Sequence, residues 1–309
     1  MLGTSSRKNG LSKMAKRLRM YEREYYFYES MASSINVCIP KFYGFVEDVH
    51  GNKTGIVLEN MYERSHRVNL NLNAESIDVT MKVIDQMAKL HSLHWGKSLK
   101  SQFPGLYSYS DELFCPFLTE FVGERREAFI SRWSNVLTGR QQAKCAEIFD
   151  QYSQIQSRVS RGRHLTFIHG DIKSPNIFYG PDNEPVFIDW QHCAIGKGVQ
   201  DLAFFVLESF DIANIKRVFQ LAKHYYYMKL VEYGVEDYSP EEYERDLIDA
   251  LQFIPFMTSV WFGTTPQDEL IDPNFPYFLI TKLFYLLDDS SAVYPNNSLS
   301  TAVLTQNNR

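Results

Sequence analysis

Apolar positions along this chain recur with two periods, and each predicts an element. Met14, Leu18, Tyr21, Tyr25 and Tyr28 follow one another at steps of four and three. That spacing puts them on one face of a helix, with Ser12 as its cap and an end near Ser33. Ile77, Met81, Ile84, Met87, Ala88 and Leu90 define a second helix from Ala74 to His94. The stretches Asp111–Trp133 and Gln141–Arg161 read as helical after a loop at Tyr107–Asp111. Their core candidates are Phe114, Phe117, Leu118, Phe121 and Phe129. Helices are expected again over 214–233, 240–254 and about 276–288, punctuated by Pro240, Pro255, Pro273 and Pro276. Short apolar runs at Lys41–Asp48 and Thr54–Asn60 flank His50-Gly51-Asn52-Lys53, where Asn and Gly favour a tight reversal. They predict a hairpin. From Ser290 onward the chain is polar and rich in Asn and Ser, as a frayed tail would be.

The stretch from Phe167 to Asp201 carries the chemistry. It reads Phe-Ile-His169-Gly170-Asp171-Ile-Lys173-Ser-Pro-Asn176, and a Gly180-Pro181-Asp182-Asn183 turn follows. It continues Pro-Val-Phe-Ile-Asp189-Trp190-Gln191 and closes on Gly196-Lys-Gly198-Val-Gln-Asp201. Phosphoryl transfer needs a carboxylate to take the acceptor's proton, and a carboxamide and second carboxylate to hold magnesium on the phosphates. A strand, a loop with Asp171 and Asn176, and a hairpin ending in Asp189 would converge those groups. Taken singly, Asn176 and Asp182 are ordinary turn residues and Asp189 an ordinary strand end. The ordered trio with both apolar strands favours the catalytic reading.

His-Gly-Asp-x-x-x-x-Asn followed by Ile-Asp-Trp-Gln resembles the aminoglycoside phosphotransferase and choline kinase-like superfamily of small-molecule kinases. The match is close over 167–205, with weaker echoes over about 20–210. The resemblance implies an α+β, protein-kinase-like two-lobe fold. Residues 1–62 would form a partial first lobe with a hinge near 59–63. Residues 63–289 would form a mostly helical second lobe, and 290–309 the tail. It also implies ATP and Mg2+ as cofactors and a small-molecule hydroxyl as acceptor. Asp171 would be the base, and Asn176 and Asp189 the metal ligands. His169 would brace the loop, Gly170 would give its backbone room, and Asp201 would hold it from a helix start. Glu24-Tyr-Tyr-Phe27-Tyr28 resembles the Glu-x-x-Phe-Tyr of the superfamily, which nominates Glu24 toward ATP; spacing alone leaves Glu22 and Glu29 open. Glu59, Asn60 and Met61 fall at the hinge, where backbone groups meet adenine. Lys173 sits where serine/threonine protein kinases keep a Lys on the transferred phosphate, against the plainer reading of a surface Lys.

Other features bound the alternatives. Only twelve residues separate Asp189 from Asp201. A protein kinase needs a phosphorylatable segment and an Ala-Pro-Glu anchor there, so small-molecule transfer is preferred. His91 and His94 are three apart on a helix and could bind zinc, but no further ligand cluster follows and packing is the better reading. A net charge of −5 argues against a general nucleic-acid coat. The chain is 15% aromatic, which hints at an apolar or cationic acceptor, although core packing would use most of those rings. No run reaches the roughly 18 apolar residues of a membrane span. Four scattered cysteines read as reduced thiols of a cytoplasmic protein. Arg7, Lys8, Lys13, Lys16, Arg17 and Arg19 read as a solvated helix face rather than a transit peptide.

One expectation is negative. The fold normally begins with two strands, a Gly-rich loop over the phosphates and a strand with the ATP-pairing Lys, on the order of 40 residues ahead of Ser12. No Gly-x-Gly-x-x-Gly occurs, and no Lys lies on a strand ahead of Glu24. The sequence is therefore read as a fragment, a late-begun gene model, or a degenerate kinase. The competing functional reading is a kinase-like protein that binds without transferring.

Overall fold

The computed structural model describes residues 10–68, 70, 76–112, 115–266, 270 and 272–288. The tail from 290 onward, Arg7, Lys8, Phe114 and the expected helix start at Ala74 lie outside the described residues. In chain order the fold opens with α1 (Gly10–Arg17) and α2 (Met20–Tyr26), then the hairpin β1 (Phe42–Glu47) and β2 (Lys53–Leu58). Next come α3 (Ser76–Leu93), α4 (Leu99–Gln102), α5 (Cys115–Trp133), α6 (Gly139–Asp150) and α7 (Tyr152–Ser160). The middle of the chain holds β3 (Leu165–Ile168), β4 (Ile177–Tyr179), β5 (Pro185–Phe187) and β6 (Ala194–Lys197). Four helices follow, α8 (Val199–Ser209), α9 (Ile215–Glu232), α10 (Pro240–Phe262) and α11 (Phe275–Leu287). Among the described residues no helix is long and apolar enough to cross a membrane.

The strands form three antiparallel pairs, β1 with β2, β3 with β6 and β4 with β5. β3 and β6 pair without a bulge, Phe167 opposite Ile195 and Ile168 opposite Ala194. Single bridges tie strands to segments outside the sheets. Phe187 N–H donates to Cys38, and His66 and Tyr179 exchange backbone bonds. Gly196 and Lys197 belong to β6, and Gly198 stands at the start of α8.

The first helix differs from its expectation. It is not one rod from Ser12 to Ser33. It breaks at Arg19, whose φ of 54° is left-handed, and Ser12 lies inside α1 rather than capping it. The break changes the buried stripe: Tyr21 turns outward at 43% exposure, while Met20, Arg23, Phe27 and Met31 turn in. A left-handed residue costs about 1–2 kcal/mol. Burying Met20 and Phe27 returns roughly 1.5–3 kcal/mol each. α2 runs on into a wide π turn at Phe27–Met31.

Two more boundaries move for packing reasons. The helix expected over 141–161 divides at Gln151 into α6 and α7, the first started by a Thr138–Gln141 capping box. The helix expected to stop at Pro255 continues to Phe262. An interior proline costs about 3 kcal/mol or more. Leu247 and Leu251 before it, and Phe256 and Val260 after it, are fully or almost fully buried, and together they outweigh that cost. Ser239 and Glu242 form a capping box at the other end of α10, with Pro240 in the first turn.

Candidate active site

The geometry of the loop from His169 to Asn176 begins with a carboxylate that sequence order keeps thirty residues away. Asp201, in the first turn of α8, accepts from His169 N–H at 2.8 Å through Oδ2 and from Gly170 N–H at 2.7 Å through Oδ1. His91 Nε2 faces the same Oδ2 at 3.1 Å, and His91 Nδ1 faces Tyr226 Oη at 2.8 Å. His169 bridges the loop to the next hairpin. Asp171 N–H donates to its Nδ1 at 3.2 Å, so its Nε2 donates to Ile188 O at 3.0 Å. Burial, more than any other influence, holds the His169 pKa below its ordinary value, which suits a neutral imidazole making one bond at each nitrogen. Gly170 has φ 82°, and a Cβ there would collide with the His192 carbonyl oxygen.

On this frame Asp171, Asn176 and Asp189 converge. Asn176 Nδ2 donates to Asp171 Oδ2 at 2.9 Å and to Asp171 O at 3.0 Å. Lys173 Nζ lies 2.9 Å from the same Oδ2. Ile188 N–H donates to Asn176 O, which seats the β4–β5 hairpin end against the loop. Asp189 is left-handed, with φ 66°. Burial first, then repulsion from Asp171, raise the Asp189 carboxyl above its ordinary pKa. Burial acts to lower the Lys173 ammonium, but the charge and hydrogen bond of Asp171 outweigh it, and its pKa ends above the usual value. A buried and a half-buried carboxylate that repel one another, next to the Asn176 carboxamide, are oxygen donors of the kind a divalent cation such as Mg2+ takes.

The other predicted residues divide. Glu24 reaches this cluster. Burial, then the charge of Asp189, push its carboxyl up to about 7, against a hydrogen bond from Trp190 N–H that lowers it. Lys53 on β2 pairs at 2.6 Å with Glu29 rather than with Glu24. The hinge trio does not share the cluster. Glu59 is bound by Arg64 and Lys41 N–H, which hold its carboxyl at about 2, the Arg64 bond contributing most. Asn60 caps the short turn at Met61–Glu63, accepting from Tyr62 N–H at 3.3 Å. Met61 alone turns inward, against Phe178, Val186 and Ile188 of the β4–β5 hairpin. His94 packs its ring edge-on to Phe103 and Phe167.

Sequence reading missed the cavity. A pocket of about 290 Å³ opens beside Asp171 and Lys173. Its lining includes Phe204, Phe253, Met257, Trp261 and Phe262, together with Gln191 and His192. The apolar run over 253–262 was visible in the sequence, but nothing distinguished a cavity wall from core. His192 followed Asp189-Trp190-Gln191 unremarked. Its ring lies edge-on to Trp261, centroids 5.6 Å apart. Burial above all lowers its pKa to about 4.

Comparisons with known proteins agree on the architecture. The family model described as the ecdysteroid kinase-like family matches residues 4–236. A solved aminoglycoside 2'-phosphotransferase-IIIa, in its GDP complex, superposes with a TM-score of 0.56 at 13% identity, over 90% of this chain and 84% of its own. An ethanolamine kinase from Plasmodium vivax gives a TM-score of 0.50 at 13% identity, over 86% and 71%. A choline/ethanolamine kinase family protein from Mesorhizobium loti gives 0.50 at 12%, over 89% and 83%. No curated protein matches the chain. The fold is the α+β, two-lobe, protein-kinase-like fold of small-molecule kinases.

Proposed function

The chain belongs to the ecdysteroid kinase-like family, and from that premise we propose that it transfers the γ-phosphoryl group of ATP to a hydroxyl of an apolar small molecule. The observation that carries this reading is the position of Asp171. It lines an aromatic cavity, accepts from Asn176 Nδ2 at 2.9 Å, and lies near enough to Asp189 for its charge to raise that carboxyl's pKa. Asp171 Oδ2 already holds Lys173 and Asn176. Oδ1 therefore remains for the acceptor's hydroxyl proton. The acceptor oxygen forms its bond to the γ-phosphorus as the bond to the β,γ-bridging oxygen breaks. ADP leaves with that electron pair, and Asp171 holds the proton. Lys173 offsets charge on the phosphoryl oxygens as they pass Asp171. Asn176 and Asp189 would hold magnesium, which when bound neutralises the phosphates. Glu24 would steady Asp189 through Trp190 N–H, and the hinge backbone at Glu59, Asn60 and Met61 would meet the adenine. The reading puts the protein in the cytoplasm, in keeping with four thiols that stay unpaired in the fold.

The walls of the cavity narrow the acceptor. Its aromatic and thioether side chains favour an apolar frame over an aminoglycoside, and ecdysteroids are the first candidates by family name. The test incubates the full chain with magnesium and labelled ATP against ecdysone, choline and kanamycin. Transfer to ecdysone is expected to dominate, and Asp171→Asn should reduce it by roughly 10²–10⁴. Turnover of Asp171→Asn at the wild-type rate would refute the assignment. Magnesium-dependent ATP binding with no transfer to any alcohol would instead favour a binding protein.

A further inference from the structure

Within the cavity, most polar side chains are already committed. Thr258 Oγ1 donates to Ile254 O in its own helix, and Gln200 Oε1 accepts from Lys197 N–H. Asp201 holds the catalytic loop, and Lys173 holds Asp171. His192 differs. Its ring nitrogens have no hydrogen-bond partner among the described residues, yet its ring is half-buried at the cavity wall.

Its backbone is also fixed from two sides. Residues Trp190–His192 form one short turn directly after Asp189. Trp190 anchors that turn, stacked on Phe27 at 4.1 Å and donating through Nε1 to Phe187 O. At the other end the His192 carbonyl lies against Gly170, the residue before Asp171. Trp261 then closes on the ring from α10. A side chain held this way presents an open nitrogen at the wall of the cavity that Asp171 also lines. An unpaired polar group at the wall of an apolar cavity is a ready point for a ligand's polar group to fix its orientation.

We propose that His192 is an acceptor-binding residue, hydrogen-bonding a second polar group on the acceptor so that the reacting hydroxyl is held toward Asp171. The inference rests on the cavity being the acceptor site. It makes the enzyme selective for apolar alcohols with a second hydroxyl or carbonyl over those with a single hydroxyl. A site built to bond a polar group discriminates strongly against an analogue that lacks it, because its own atom is then left bare.

The test compares ecdysone, which carries several hydroxyls, with cholesterol, which carries one, as phosphate acceptors for the full chain. His192→Phe keeps the ring volume and the edge contact with Trp261 but removes the nitrogens. It should reduce the kcat/KM preference for ecdysone over cholesterol about tenfold, mainly through the KM for ecdysone. His192→Gln restores a donor and an acceptor and should recover most of that preference. A ratio in His192→Phe equal to wild type overturns the proposal. So does a Gln variant that falls with Phe, since that would mark a purely structural ring. Asp171→Asn is run in parallel: wild-type turnover there defeats the phosphotransfer reading itself, whatever the preference ratio.

Discussion

Replacing Asp201 with alanine removes the acceptor of three buried donors in one step. His169 N–H and Gly170 N–H lose their bonds of 2.8 and 2.7 Å, and His91 Nε2 loses its neighbour at 3.1 Å. Asp201 is 1% exposed, so water cannot replace it without opening the core. An orphaned buried donor costs roughly 1–3 kcal/mol. Sharing among neighbours keeps the three from adding fully, and about 3–6 kcal/mol is expected. Set against a typical domain stability of roughly 5–15 kcal/mol, the variant would fold only marginally. Asp201→Asn keeps one acceptor oxygen but turns an amide donor toward a second N–H, and should fall between. Urea denaturation followed by tryptophan fluorescence reads the difference, with the m-value checking that both variants unfold from the same native state. The loop carrying Asp171 hangs from those two amides, so kcat should drop more than the KM for ATP. A loss below about 1 kcal/mol in Asp201→Ala would refute the idea that this carboxylate supports the loop.

Glu24 gives the pH prediction. Its folded pKa of about 7 lies above the ordinary 4.5, so the folded state holds a proton that the unfolded chain has released. The stability this contributes is present below about pH 4.5 and is lost as pH rises through 7. In EDTA, Glu24→Gln should flatten that decline by about 2 kcal/mol after allowance for partial solvent screening; equal slopes in both proteins would count against the burial of Glu24 beside Asp189. Gly170→Ala should cost about 2–4 kcal/mol, from its left-handed backbone and the clash with His192 O. Gly162→Ala, at the same φ of 82° but with open space around its Cβ, should cost only about 1–2 kcal/mol. Equal melting temperatures for the two variants would dismiss the His192 contact. Lys173→Ala should lower kcat with little change in the KM for ATP, and an unaltered kcat would remove Lys173 from the transfer step.

Local chemistry was legible wherever neighbours in sequence are neighbours in space. The β1–β2 hairpin follows from its Gly51-Asn52 reversal, and most of the helices from apolar steps of three and four. Within the eight-residue loop from His169 to Asn176, Asn176 bonds Asp171 and Asp171 N–H bonds His169, so part of its shape is local, while Asp201 and Ile188 supply the rest from a distance. Asp201 was readable as a brace only through the family resemblance; an acid at a helix start also suits the helix dipole, so local chemistry alone does not single out that role.

Where long-range packing competes with local preference, the sequence could not decide. Arg19 breaks the first helix because two apolar stripes on slightly different faces both find partners. α10 runs through Pro255 because burial on either side exceeds the local penalty. The cavity is the clearest case: Phe253, Met257 and Trp261 obey the same spacing whether they fill space or surround it. Only the meeting of α10 and α11 with the turn after Asp189 leaves room beside Asp171 and turns His192 from a residue after a motif into a wall of the site. Periodicity records which face of an element is apolar. What that face touches is fixed by every other element in the fold.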